Sequence, residues 1–83
     1  MQSTVLDRLT DVLREVFDND AIVATPQLRA SMVDGWDSLA NVRLFLEVER
    51  AFCVRFSASE ISSLQNVGEL ADLINTKLRR SSS

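Results

Sequence analysis

Histidine is absent from the 83 residues of this chain, and cysteine occurs once, at Cys53. A single cysteine excludes an internal disulfide, and without histidine the chain lacks the usual ligands of a structural zinc site. The chain also lacks an apolar run long enough to cross a bilayer and a basic N-terminal region followed by an apolar segment. We therefore expect a soluble, cytoplasmic protein without a bound metal.

Helix-breaking residues and basic charge are also scarce. Two glycines and one proline leave few breaks, and 46% of the residues are hydrophobic, at helical rather than alternating spacing. These features predict an all-α fold. Nine basic against twelve acidic residues give a net charge of −3, so we expect neither nucleic-acid nor membrane binding. The length predicts one domain, 1–83, with residues 81–83 frayed.

The first predicted helix runs from Thr4 to Phe17 and opens with a capping box formed by Thr4 and Asp7. Its apolar stripe and the flanking apolar residues are Val5, Leu9, Val12 and Val16, with Leu6, Leu13 and Phe17. A long loop from Asp18 to Gly35 follows. Four apolar residues are expected to pin this loop over the helices: Ile22, Val23, Leu28 and Met32.

The second predicted helix runs from Ser38 to about Phe52. We expect its inward stripe to be Leu39, Val42, Leu46 and Phe52, with Phe45 and Val48 to one side. Cys53, at its end, is expected to be a small buried thiol.

Two more helices complete the predicted fold. Ser57 and Glu60 form a capping box that opens a short helix from Ala58 to about Ser63, with Ile61 and Leu64 turned inward. Asn66 and Glu69 cap the last helix, whose apolar stripe is Leu70, Leu73, Ile74 and Leu78. The expected architecture is an antiparallel bundle of three main helices and one short helix, with a long loop between the first two.

The stretch Asp34-Gly35-Trp36-Asp37-Ser38-Leu39 organises the chain. Asp34-Gly35 favours a turn, and Asp37 is suited to cap the second helix. Ser38 then lies in the first turn, where free backbone N–H groups and the helix dipole favour a phosphate esterified to its hydroxyl. Because no histidine or nearby lysine could act as a base, Ser38 is expected to be modified by another enzyme rather than to act as a nucleophile.

These residues resemble the acyl carrier proteins, whose Asp-Ser-Leu motif corresponds to Asp37, Ser38 and Leu39. The resemblance continues through the spacing of apolar residues and Glu49 along the second helix, the segment around Ile61, and residues 66–74. It implies a 4′-phosphopantetheine arm, derived from coenzyme A, on Ser38. It also implies a carrier of acyl thioesters rather than an enzyme, served by a phosphopantetheinyl transferase and by acyl-loading and acyl-transfer enzymes.

The resemblance further implies that the second helix presents an acidic surface to these partners. Glu47, Glu49, Asp34 and Asp37 match that pattern. Ala40 and Arg43 depart from it, because acidic residues are common there in carriers of fatty-acid synthesis. This departure favours a specialised fatty-acid, polyketide or similar pathway, unless Arg43 simply pairs with Glu47 one turn on. Trp36 is expected to pack on the loop, or else to contact the arm or a partner.

Two alternatives remain open at this stage. Aminoacyl and peptidyl carriers share the arm and much of the helical bundle. A helical interaction module could share the bundle with Ser38 left unmodified. An enzyme is disfavoured, because the sequence shows neither paired carboxylates in a recognisable pocket nor a glycine-rich phosphate loop. We expect a free-standing, monomeric carrier.

Overall fold

A computed structural model describes residues 4–81. It contains four α-helices, α1 (Val5–Phe17), α2 (Ser38–Phe52), α3 (Ala58–Ser63) and α4 (Val67–Ser81), and a 3-10 helix at Ala30–Met32. Residues 4–81 contain no strand, so the predicted all-α fold is confirmed. Every helix in this range is too short or too polar to span a bilayer. Residues 82–83, part of the end expected to fray, lie outside the described residues.

Both predicted capping boxes at α1 and α3 are present. The Thr4 hydroxyl accepts the Asp7 N–H at 3.0 Å, and the Asp7 carboxylate accepts the Thr4 N–H at 3.4 Å. The Ser57 hydroxyl accepts the Glu60 N–H at 3.1 Å, and Glu60 accepts the Ser57 N–H at 2.9 Å. Each box satisfies two backbone N–H groups, so the start of both helices is determined by residues three positions apart.

At α4 the expected cap takes a different form. The Asn66 side-chain oxygen accepts the Glu69 N–H at 2.9 Å, as predicted. The Glu69 carboxylate, however, accepts the N–H of Gln65 at 2.9 Å rather than that of Asn66. The cap therefore also orders the residue that precedes it.

The core lies where α1 packs against α2 and α4. The largest fully buried side chains are Leu9, Leu13, Leu44, Val48, Val67 and Ile74. They come from all three long helices, so each helix buries one apolar face in a shared interior.

The inward face predicted for α2 is wrong in three of its four residues. Leu39 is 79% exposed, Val42 58% and Leu46 55%. The buried residues of α2 are instead Leu44, Phe45, Val48 and Phe52. Apolar residues occur on two sides of this helix, and the packing of α1 decides which side is buried.

The environment predicted for Cys53 is also wrong. This residue is exposed and ends α2 in the left-handed conformation, with φ +56°. Such a C-cap turns the chain away from the helix axis, and here it directs the thiol to solvent rather than into the core.

Hydrogen bonds to the start of α4 help to hold the long loop in place. Backbone N–H groups at the start of α4 donate to loop carbonyls, Val67 to Leu28 at 2.8 Å and Gly68 to Pro26 at 3.0 Å. A side chain at Gly68 would collide with Pro26, since a Cβ there would lie 2.9 Å from the Pro26 carbonyl oxygen. Glycine therefore permits the close approach of loop and helix.

The prediction that four apolar loop residues are buried against the helices was correct for only two of them. Ile22 is buried and Leu28 is half-buried, as expected. Val23 and Met32 are 56% and 63% exposed, so their expected burial is wrong. Burial alternates at the start of the loop, where Ile22 and Ala24 are buried and Val23 is exposed.

Candidate functional site

Ser38 is the first residue of α2, directly after a tight turn. Gly35 adopts φ +85°, which a residue with a side chain rarely tolerates, and its carbonyl accepts the Asp37 N–H at 3.0 Å. Asp37 caps the helix, with its carboxylate accepting the Ala40 N–H at 2.9 Å. Ser38 is exposed. The turn and the cap thus place a hydroxyl in solvent at the helix start.

The backbone around Ser38 offers donors to an anion. The Ala40 N–H is satisfied by the Asp37 side chain, and the Asn41 N–H donates to the Asp37 carbonyl at 2.9 Å. Within the described part of the chain, the first-turn N–H groups of Ser38 and Leu39 donate no hydrogen bond, as expected at a helix start. The first turn of α2 also contains no acidic residue. A phosphate esterified to Ser38 fits this environment, because the helix dipole favours negative charge here.

Among residues 4–81, Ser38 has no partner that could activate it as a nucleophile. The chain has no histidine, and its one lysine, Lys77, lies in α4 with its ammonium 3.0 Å from both carboxylate oxygens of Glu60. Within residues 4–81, no cluster of His, Cys, Asp and Glu side chains could hold a metal ion.

Trp36 packs beside the turn, but the partners described for its side chain lie in α1 and α2 rather than in the loop on which it was expected to pack. Its ring lies 5.3 Å from that of Phe17 between centroids, and its indole N–H donates to the Asn41 side-chain oxygen at 3.0 Å. The side chain is half-buried. Trp36 therefore links α1, the turn and the first turns of α2.

The four acidic residues expected to face partners have different surroundings. Asp34 is exposed, whereas Asp37 is used as the helix cap. Glu47 lies 3.6 Å from Arg50, and Glu49 accepts the backbone N–H of Phe56 at 2.8 Å. Two of these carboxylates, those of Asp37 and Glu49, thus hold backbone groups of the protein itself.

Arg43 is exposed, and the described structure contains no ion pair between it and Glu47. The alternative that Arg43 is neutralised by Glu47 is therefore wrong, because Glu47 pairs with Arg50. The half-buried Ala40 lies one turn before Arg43. The charge of Arg43 is directed to solvent.

Leu39, Val42 and Leu46 form an exposed apolar stripe that begins next to Ser38. Their spacing places them along one side of α2. These residues were expected in the core from their spacing, but periodicity alone does not distinguish a buried face from an exposed one.

A cavity of about 90 Å³ lies between α2, α3 and the start of α4. Asn41 and Phe45 of α2, Ile61 of α3 and Leu70 of α4 are among its lining residues. Asn41 lies three residues after Ser38, so this cavity begins within one helical turn of the serine. This cavity could not be predicted from the sequence, since its walls come from four separate segments.

No family model matches the chain. A solved structure does match it, the solution NMR structure of holo acyl carrier protein from Geobacter metallireducens. The two sequences are 42% identical, and the match covers 94% of this chain and 90% of that chain. The TM-score of 0.89 shows that the similarity extends to the whole arrangement of helices.

Proposed function

The chain belongs to the acyl carrier protein family, and on this premise we propose that Ser38 is the attachment point of its 4′-phosphopantetheine arm. Proteins of this family are carriers rather than enzymes, and their cofactor is the covalent arm. The observation that supports Ser38 is its exposed hydroxyl at the start of α2, beside two available backbone N–H groups. The arm supplies a terminal thiol, on which an acyl group is held as a thioester.

The residues around Ser38 support this role by fixing its position. Asp37 caps α2 through the Ala40 N–H, and Trp36 is held between Phe17 and Asn41. An enzyme that modifies Ser38 therefore meets a preformed helix start rather than a disordered loop. Preformed geometry reduces the entropy cost of recognition.

Carriers of this family act with the enzymes of their pathways, and we place the docking surface on the outer side of α2. The exposed apolar stripe Leu39, Val42 and Leu46 offers hydrophobic contact directly after the attachment point. Glu47 and Asp34 supply negative charge, whereas Arg43 supplies an exposed positive charge. This mixed charge favours a dedicated partner set and a specialised fatty-acid, polyketide or similar pathway.

The test of the attachment site is the intact mass of the protein after incubation with coenzyme A and a promiscuous phosphopantetheinyl transferase. We expect the wild type to gain the mass of the arm and Ser38→Ala to gain none. Ser31→Ala, which removes an exposed hydroxyl from the loop, serves as the matched control and should gain the arm. If the wild type gained no arm, the protein would instead be better explained as a helical interaction module. If Ser38→Ala gained the arm, the assignment of Ser38 as the attachment site would be wrong.

A further inference from the structure

The turn after α2 is surrounded by basic side chains. Residues 53–55 line two depressions in the protein surface. One depression is also lined by Arg50 of α2 and the other by Lys77 and Arg80 of α4, while Arg55 lines both. The turn therefore joins basic residues of two helices, and of the chain between them, into one surface.

Arg8 extends this surface to α1. Its Nη2 atom donates to the Ala51 carbonyl at 2.8 Å, and its guanidinium carbon lies 4.9 Å from the centroid of the Phe52 ring. Within residues 4–81, Arg8 forms no ion pair. Five of the nine basic residues of the chain thus lie together, and this group is hereafter the basic end: Arg8, Arg50, Arg55, Lys77 and Arg80.

Acidic side chains neutralise only part of this charge. Glu47 lies 3.6 Å from Arg50, whose side chain nevertheless remains 80% exposed. Glu60 lies 3.0 Å from Lys77. Glu49, the acidic residue in the lining of the depressions, accepts a backbone N–H. These three carboxylates do not balance five basic side chains, so the basic end is positively charged although the whole chain has a net charge of −3.

The opposite end of the bundle carries Ser38 and is acidic. Ser38 begins α2, whereas the basic end lies where α2 finishes, about 21 Å away at a rise of about 1.5 Å per residue. The carboxylates at the Ser38 end include those of Asp34 and Asp37, on either side of Trp36, and that of Asp18, next to the Phe17 ring that contacts Trp36. The charge of the protein is therefore polarised along α2.

We propose that the basic end is a docking site for an acidic segment of a partner protein, which tethers the carrier while Ser38 stays accessible. Four of the five basic residues are arginines, whose planar N–H groups match the two oxygens of a carboxylate. A short acidic segment can contact the basic end alone. An extended polyanion, such as a nucleic acid or an anionic membrane, would also meet the acidic remainder of the chain and be repelled. A tether at this end covers neither Ser38 nor Arg43, so it leaves the choice of transfer enzyme unchanged.

The experiment measures binding of a fluorescein-labelled octaglutamate peptide to the unmodified full chain by fluorescence anisotropy. It is therefore independent of arm attachment. We expect binding at low salt that weakens at high salt, because exposed charges are screened. In ¹H–¹⁵N spectra the peptide should shift the amides of residues 53–55 more than those of residues 37–39. Tighter binding of duplex DNA or of phosphatidylserine vesicles than of the peptide would overturn the assignment of a protein partner.

Arg55→Glu and Arg80→Glu should each weaken peptide binding at low salt by at least about threefold, the effect of losing one exposed ion pair. Arg29→Glu is the matched control, because it makes the same change at an exposed loop residue outside the basic end and should bind as the wild type does. Absence of peptide binding would overturn the inference. So would equal affinities of wild type, Arg55→Glu and Arg80→Glu, or an equal loss in the control, which would indicate a response to net charge alone.

Discussion

The carboxylate of Glu49 in α2 accepts the backbone N–H of Phe56 at 2.8 Å, which ties the segment leading into α3 to the second helix. The Phe56 ring lies edge-on to that of Phe45, with centroids 5.4 Å apart and planes at 79°. The Lys77 ammonium lies 5.4 Å from the centroid of the same Phe56 ring. An acidic residue that the family resemblance assigns to the partner surface thus also positions α3.

Glu49→Ala should loosen the start of α3, because the Phe56 N–H loses its acceptor in a half-buried position. We expect hydrogen exchange at the Phe56 amide to accelerate about fivefold, corresponding to about 1 kcal/mol for one hydrogen bond. Glu49→Gln, which retains a side-chain oxygen, should have a smaller effect. Glu47→Ala is the control, since the ion pair described for Glu47 is with the exposed Arg50. Equal exchange rates in all four proteins would show that this hydrogen bond does not hold α3.

Leu44→Ala should destabilise the protein by about 2–5 kcal/mol, as is usual for a fully buried leucine. Leu46→Ala, two residues later in the same helix, should cost less than about 1 kcal/mol because its side chain is 55% exposed. Urea denaturation of the two variants compares identical substitutions in one helix. The reverse order of stabilities would mean that the inward stripe expected from the sequence was correct after all.

The contact between Glu60 and Lys77 should make stability depend on acid pH. The hydrogen bond from the Ser57 backbone N–H, followed by that from the Lys77 ammonium, lowers the pKa of the Glu60 carboxyl below its ordinary value. A carboxylate with a lowered folded-state pKa stabilises the protein above the ordinary glutamate pKa of about 4.3 and loses this contribution as pH falls through the lowered value.

Thermal unfolding of wild type and Glu60→Gln between pH 7 and pH 3 measures this contribution. We expect the wild type to have the higher Tm at neutral pH and the difference to shrink in acid. Glutamine retains the side-chain oxygen of the capping box, so the comparison isolates the charge. Glu15→Gln, which removes an exposed carboxylate from α1, controls for the loss of one negative charge. A difference in Tm that does not change with pH would contradict this assignment.

Arg43→Glu combined with Ala40→Asp should make the carrier a better substrate for fatty-acid synthesis enzymes and a poorer one for its own partner. Replacing arginine by glutamate changes the local charge by two units, which turns repulsion from a basic enzyme surface into attraction. Acyl-transfer rates with both enzyme sets, at low and high salt, measure the effect, which should shrink with screening.

The control for this charge reversal is Arg55→Glu, the same change at an exposed residue after α2. It reproduces the two-unit charge change of Arg43→Glu, without the further unit that Ala40→Asp adds, and leaves the α2 surface intact, so we expect little change in enzyme preference. If both variants behave like the wild type, partner choice does not depend on Arg43.

The sequence by itself determined the helices, their starts and the place of Ser38. Three local features depend on residues at most three positions apart: the capping boxes, the Asp37 cap and the positive φ of Gly35. Such local interactions can be predicted from the sequence without knowledge of the fold. The family motif likewise depends on neighbouring residues.

Only the tertiary structure decided which apolar face of α2 is buried and what surrounds Ser38. Leu44 and Leu46 are equally apolar, and the position of α1 determines that the first is buried and the second exposed. The cavity between α2, α3 and the start of α4 has both Arg29 and Asn41 in its lining, and the hydrogen bond of Glu49 reaches Phe56 across a turn. These relationships join residues from separate segments, and the free energy that selects them comes from burying one shared core, which no single stretch of sequence specifies.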